Sequence, residues 1–204
     1  MHLAIPGNVG HFYQLQMALT AANHASRAIA YLSKIFHRDV KFWQSLCANM
    51  VSRPTYIAEI VQRLATDVGY TDASGLGCGG VLIDPDEDGI YYVWRLPWPE
   101  DIKADLVSSE NTQGQITNSD IELTALVLQE AKFTFVGTNL TWQAPFAGSN
   151  NTPPVAWKFQ EYSAVNPVVS ELLCLRSLVN RQFNITSSVF YHLGPQSTMA
   201  DGAS

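Results

Sequence analysis

Val68-Gly-Tyr-Thr-Asp72, Val81-Leu-Ile83 and Ile90-Tyr-Tyr-Val-Trp94 are three short runs of apolar, β-branched and aromatic residues. Gly75-Leu-Gly-Cys-Gly-Gly80 separates the first two, and Asp84-Pro-Asp-Glu-Asp-Gly89 separates the second from the third. Runs of this kind favour extended backbone, and the Gly, Pro and Asp clusters between them favour tight turns. The stretch therefore predicts three strands in an antiparallel meander, with residues 75–80 as a flexible glycine-rich hairpin.

The glycines admit a second reading. Gly75-x-Gly77-x-x-Gly80 has the spacing of a dinucleotide fingerprint. That fingerprint must end a strand and open a helix, so that phosphate meets the helix N-terminus. Here a strand and then a turn follow, so the nucleotide reading is set aside.

Downstream, residues 99–116 read as a long polar loop. A strong helix follows, with Ser119 available as its cap and Ile121, Ala125 and Leu128 along one face. Residues 133–149 contain one strand. Thr152-Pro153 suits a helix start, with Pro at the first position. Asn166-Pro167 opens a longer helix, and its stripe is Val168, Leu172, Leu175 and Val179. Ser187–Tyr191 is a last short strand, and His192-Leu-Gly-Pro is a loop. The order β-β-β-α-β-α-α-β is an α/β pattern with three sequential strands first.

Upstream, residues 8–52 read as helical. Ala25, Ile29, Leu32 and Phe36, then Val40, Trp43, Cys47 and Met50, recur at three- and four-residue steps. Ser52-Arg-Pro-Thr55 breaks the pattern. Ile57, Ile60, Val61 and Leu64 fit either a further helix or an extended connector.

The composition bounds the function. The 204 residues are 47% hydrophobic and only 15% charged, enough apolar content for a core. The net charge of −6 speaks against a nucleic-acid binder, which ordinarily carries a basic surface. The charge is unevenly placed, however: residues 1–66 carry +4 and residues 67–204 carry −10. Cys47, Cys78 and Cys174 have no paired or metal-binding spacing and read as reduced structural thiols. The N-terminus lacks the pattern of a signal peptide, and no run of about 18 apolar residues exists. The expectation is an intracellular protein with no membrane span, in which Asn139-Leu-Thr, Asn150-Asn-Thr and Asn184-Ile-Thr match the glycosylation sequon by chance.

Several polar residues are candidates for chemistry, each with a plain structural alternative. Asp72 sits in an apolar first strand, where a carboxylate needs a partner or a metal, but it also suits a turn at the strand end. Glu122 closes Ser119-Asp-Ile-Glu122, which is a capping box. Asn150 can cap the helix that starts at Thr152-Pro153. Asp201 and His192 sit in loops that solvent alone would explain. Tyr70-Thr-Asp72-Ala73 resembles the paired-aspartate turn of a polymerase palm, but Ala73 stands where the second aspartate belongs.

Taken together, Tyr70-Thr-Asp72-Ala-Ser-Gly, Asn118-Ser-Asp-Ile-Glu122-Leu-Thr-Ala-Leu, Gly148-Ser-Asn150-Asn-Thr-Pro and His192-Leu-Gly-Pro-Gln-Ser-Thr-Met-Ala-Asp201 form a pattern. It resembles the ribonuclease H domain of retroelement reverse transcriptase polyproteins. The resemblance covers residues 67–204, and residues 1–66 look like the connection segment that precedes such a domain. It implies a ribonuclease H-like fold: a five-stranded mixed sheet with helices on its faces, preceded by a helical segment. It also implies Mg²⁺-dependent cleavage of RNA in RNA–DNA hybrids, with the reverse transcriptase region of the same polyprotein as a partner.

In that family two Mg²⁺ ions roughly 4 Å apart hold the scissile phosphate, activate water and stabilise the leaving oxygen. By resemblance Asp72 would bridge both ions, Glu122 would hold one and Asp201 the other. His192 would aid proton transfer or product release. The chain departs from the pattern at Asn150, where the family has Asp, and at Ser197 and Leu193, where it usually has Asn and Pro. A neutral amide ligates without charge, so one metal site is expected to be weak and turnover impaired. The family's closing helix is expected to be missing after Ser204. A non-catalytic scaffold or hybrid-binding module on the same fold is the alternative, and a recombinase-like nuclease a third.

Overall fold

The computed structural model describes residues 20, 34–53, 55, 61, 67–83, 91–136, 145–149, 152–153, 167–191 and 202. Among these, helix α1 is Lys34–Ser52. Strands β1 (Asp67–Ala73), β2 (Gly77–Ile83) and β3 (Tyr91–Pro97) follow, then α2 (Glu100–Asp105), α3 (Asn118–Val136), β4 (Pro145–Ser149), α4 (Pro167–Phe183) and β5 (Ser188–Tyr191). The five strands form one sheet in the order β3-β2-β1-β4-β5. The meander β1-β2-β3 is antiparallel, while β4 pairs parallel with β1 and with β5. This is the mixed five-stranded sheet expected from the sequence. Parallel β4 and β5 need a crossover, and α4 lies on it.

Three local expectations are corrected. The glycines of residues 77–80 lie inside β2, where Gly80 pairs with both Thr71 and Trp94. They serve close packing. A Cβ on Gly77 would lie 2.6 Å from the Leu96 carbonyl oxygen, and one on Gly80 would meet Gln129 Oε1 at 2.5 Å and the Tyr70 carbonyl at 2.6 Å. Gly69 opposes the same side chain, with Gln129 Nε2 at 2.0 Å from a Cβ there. Bare backbone at Gly69 and Gly80 thus makes a shelf on which α3 rests. The turn itself is Ser74–Leu76, closed by Ser74 N donating to Gly77 O at 2.8 Å. The acidic turn expected at residues 84–89 lies outside the described residues.

The second correction concerns residues 99–116, which are not simply a loop. They contain α2, and a bridge between Leu106 and Ile116 closes the excursion. Trp98 is buried with Ala73, Cys78, Ile121 and Ala125, and Ile102, Leu106 and Ile116 pack against that cluster. Their apolar side chains pull the segment onto the sheet end.

Helix α3 is buried nearly all round, which is why its sequence shows little amphipathic contrast. Ile121 and Ala125 face β1 and β2, Leu126 joins Ala147 of β4 and Val189 of β5, and Leu123 and Val127 meet Val169 and Leu173 of α4. The expected stripe on α4 is half wrong: Val168 and Leu175 are exposed, and Val169, Leu173, Cys174 and Arg176 are buried. A polar contact sets this rotation. Arg176 Nε donates to Glu130 Oε2 at 2.6 Å, with both side chains buried. Arg176 Nη2 also donates to Ser187 Oγ at 2.8 Å.

The basic upstream segment docks on this body. Helix α1 ends at Ser52, as the Ser-Arg-Pro-Thr signal predicted. Arg181 of α4 donates from Nε to Asn49 Oδ1 at 2.8 Å, from Nη1 to Thr55 Oγ1 at 3.1 Å, and from Nη2 to the Arg53 carbonyl. Arg53 in turn donates to Asn184 Oδ1. Asn184 follows the end of α4 with φ of 57°, a conformation that Asn tolerates at a helix C-terminus. Of the periodic positions in α1, Val40, Trp43 and Met50 are half-buried and Cys47 is exposed. The earlier set Ala25, Ile29 and Leu32, and residues 56–60, lie outside the described residues. No described helix is long and apolar enough to cross a membrane.

Candidate functional site

The carboxyl ends of the parallel strands β1, β4 and β5 share one edge of the sheet, which in open α/β sheets is the usual binding edge. Asp72 is the penultimate residue of β1 and is half-buried. Strand alternation sends it to the face opposite Thr71 and Ala73, which are buried. Its ladder partner is Gly79, and the partner of Gly79 on β3 is Arg95. Paired residues share a face, so Asp72 and Arg95 flank a residue without a side chain. They lie two strands apart, roughly 9–10 Å between backbones. Arg95 Nη2 donates to the Gly202 carbonyl at 2.8 Å. The neighbour of Asp201 is thereby tied to the Asp72 row.

Glu122 approaches from α3. The helix is capped two residues earlier than the sequence suggested. Thr117 N and Oγ1 both donate to Asp120 Oδ2 at 2.8 Å, and Asp120 N donates back to Thr117 Oγ1 at 3.3 Å. The capping box is Thr117-Asn-Ser-Asp120, so the expected cap at Ser119 and Glu122 is corrected. A Thr two residues before Ser119 offered the same signature in the sequence. Asp120 also places negative charge at the positive end of the helix.

Relieved of capping, Glu122 is buried beside the strands. Its Oε2 atom is enclosed and receives no hydrogen bond, while the residue makes its contacts elsewhere. Its position is marked by Cys78, the ladder partner of Ala73. Burial and then the nearby Glu122 charge push the Cys78 thiol up to about 12. Glu122 is therefore near Cys78, on the α3 side of the sheet.

Asn150, His192 and Asp201 lie outside the described residues. Their described neighbours locate the strand ends that lead to them. Ser149, which precedes Asn150, pairs with Tyr191, which precedes His192. Both close their strands at the edge that Asp72 occupies. Among the described residues no group of three or more His, Cys, Asp or Glu is gathered as a metal site, and only two of the proposed ligands belong to that set.

No family model and no curated protein matches the sequence. Solved structures do. LC11-RNase H1, isolated from compost by a metagenomic approach, matches with a TM-score of 0.50 and 16% identity, over 69% of this chain and 93% of that one. The fold is ribonuclease H-like. RNase H1 from the halophilic archaeon Halobacterium salinarum matches with a TM-score of 0.47 and 15% identity, over 67% of this chain and 92% of that one. The prototype foamy virus protease-reverse transcriptase matches with a TM-score of 0.41 and 13% identity, over 70% of this chain and 20% of that one. In the ribonuclease H-like frame, β1 is the first and central strand and α3 the first sheet-packing helix, the elements that carry Asp72 and Glu122.

Sequence reasoning missed three polar contacts that hold this frame. The first is Gln129, which accepts from Trp94 Nε1 and donates to the Val81 carbonyl at 2.9 Å. The others are the Glu130–Arg176 pair and the Arg181 clasp. None has a local signal, because each joins residues more than 30 positions apart.

Proposed function

We propose that residues 67–204 are the ribonuclease H domain of a retroelement reverse transcriptase and residues 1–66 its connection segment. The reaction is Mg²⁺-dependent hydrolysis of the RNA strand of an RNA–DNA hybrid. The observation that carries this reading is the neighbourhood of Asp72. Asp72 lies near the end of β1, and Arg95, in the same row two strands along, donates to the residue after Asp201, while Glu122 of α3 is buried near Cys78.

The donor set fits Mg²⁺, which takes hard oxygen ligands. Asp72 would serve both metal positions, Glu122 one and Asp201 the other, with only an amide oxygen from Asn150. Bound Mg²⁺ supplies charge stabilisation at the scissile phosphate and an activated water. The chain's own part is to fix the carboxylates. The sheet ladder fixes the Asp72 backbone, and the Thr117–Asp120 cap frees Glu122 from the helix end. His192 would exchange a proton with the leaving strand or aid its release. Asn150 removes one negative charge, and this chain is slow for that reason.

The test is cleavage of a labelled RNA–DNA hybrid in Mg²⁺ by the chain and by Asn150→Asp. Faster cleavage by Asn150→Asp, abolished again by adding Glu122→Gln, supports the reading. Hybrid bound in a salt-dependent way but cut by neither protein favours a non-catalytic binding module, the reading that Asn150 itself motivates. Neither cutting nor binding at low salt removes both.

A further inference from the structure

Trp98 is buried where β3 ends, and its neighbours in the chain restrict its backbone. Pro97 closes the strand and Pro99 follows. A proline ring fixes its own φ, and the residue before a proline is confined to extended backbone. Pro97-Trp98-Pro99 therefore presents the indole with little freedom.

Two bonds run from Trp98 to the turn that joins β1 and β2. Its backbone N donates to the Leu76 carbonyl at 3.0 Å, and Nε1 donates to the Ser74 carbonyl at 2.8 Å. Ser74 is two residues beyond Asp72, and Leu76 is four. The turn is also tied within itself, by Leu76 N donating to Ser74 Oγ at 3.3 Å. A buried indole N–H needs an acceptor in any core. Here the acceptor belongs to the turn that follows Asp72.

The indole ring is buried in one cluster with Ala73, the residue after Asp72, and with Ile121, the residue before Glu122. The excursion that follows leads from one anchor to the other. Ile102, Leu106 and Ile116 pack on the cluster. Val107 N donates to the Ile116 carbonyl at 2.8 Å, and Ile116 N to the Asp105 carbonyl at 3.1 Å. The excursion ends at Thr117, whose exchange with Asp120 caps α3. The end of β1 and the start of α3 are thus joined through Trp98 as well as through the packing of helix on sheet.

We propose that Trp98 is a positioning residue, setting the end of β1 with Asp72 against the start of α3 with Glu122. The inference rests on the cleavage reading, which gives those carboxylates to a metal. Mg²⁺ demands near-ideal octahedral geometry, so a carboxylate moved against its partner weakens the site.

The test is Mn²⁺ binding to the full chain, read by electron paramagnetic resonance, with thermal melts alongside. Mn²⁺ takes the same oxygen ligands as Mg²⁺. Trp98→Phe keeps a ring in the cluster and removes the bond to Ser74. It is expected to weaken Mn²⁺ binding about tenfold, the lower end of what losing an outer support costs a metal site. Pro99→Gly spares the core, because Pro99 is exposed, and frees the backbone beside Trp98. It is expected to weaken binding about threefold, since it loosens the anchor without removing it. Phe133→Leu is the control. Phe133 is buried in α3, 11 residues beyond Glu122, or about 16 Å along the helix. Its loss should lower the melting temperature and leave Mn²⁺ affinity unchanged.

The positioning role is overturned if folded Trp98→Phe and Pro99→Gly both bind Mn²⁺ like the parent while Glu122→Gln does not. It is overturned equally if Phe133→Leu weakens binding as much as Trp98→Phe for the same loss of melting temperature. If the parent binds no Mn²⁺, or Glu122→Gln binds it like the parent, the cleavage reading and the positioning role fall together.

Discussion

Glu130→Gln is the substitution whose effect the structure specifies most closely. Glu130 Oε2 accepts from Arg176 Nε at 2.6 Å, and the side chains are 1% and 9% exposed. A surface pair of this kind would contribute little, because solvent screens it. Here the fold shields both partners from solvent, so removing one charge leaves a buried guanidinium without its counter-charge. Breaking such a pair costs about 3–5 kcal/mol. The Ser187 hydroxyl still accepts from Arg176 Nη2 at 2.8 Å, which places the expectation near the lower end. Against a total stability of about 5–15 kcal/mol, that is a large fraction. With a urea slope of about 2–3 kcal/mol/M, the unfolding midpoint should fall by about 1–2 M with the slope unchanged. The paired replacement Glu130→Leu with Arg176→Met should recover most of the loss, because it removes both desolvation penalties together. Urea denaturation followed by circular dichroism reads all of these. A midpoint for Glu130→Gln within about 0.3 M of the parent, or a double variant no more stable than the worse single one, would refute the reasoning.

Two further predictions separate packing from chemistry. Gly80→Ala should lower stability by about 1–3 kcal/mol, because its Cβ would meet Gln129 and the Tyr70 carbonyl, while Gly75→Ala should be neutral, having nothing within 4 Å; thermal melts check both, and equal effects would reject the shelf. The Cys78 thiol holds its proton in the fold up to about pH 12, against 9.0 for the free group, so the stability it contributes is intact below pH 9 and is lost as pH rises from 9 towards 12. Melts between pH 8 and 11 should therefore fall less steeply for Cys78→Ala than for the parent, and a thiol reagent at pH 8 should label exposed Cys47 well before buried Cys78 and Cys174.

The strand meander, the helix starting near residue 118 and the α4 start at Asn166-Pro167 were legible in the sequence because each has a local cause. Alternation, turn residues and a proline at the first helical position act within a few residues of one another. The same holds for Asp72 and Glu122, whose unusual places stand out within their own elements. The sequence also placed the change in charge near residue 67, where β1 begins.

Only the tertiary structure decided the rest. Gly77, Gly79 and Gly80 looked like a flexible loop until Gln129 and β3 arrived to fill the space above and beside them. The cap moved from Ser119 to Thr117 because Asp120, not Glu122, folds back on the helix end. Helix α4 turned a different face inward because Arg176 had to reach Glu130 from a position 46 residues away. Val168 and Leu175 fit an apolar stripe equally well on paper, and what excluded them was a buried charge needing its partner. Local sequence determined which elements form and where their candidate carboxylates sit. The pairing of distant polar groups, which no window of sequence contains, determined how those elements face one another.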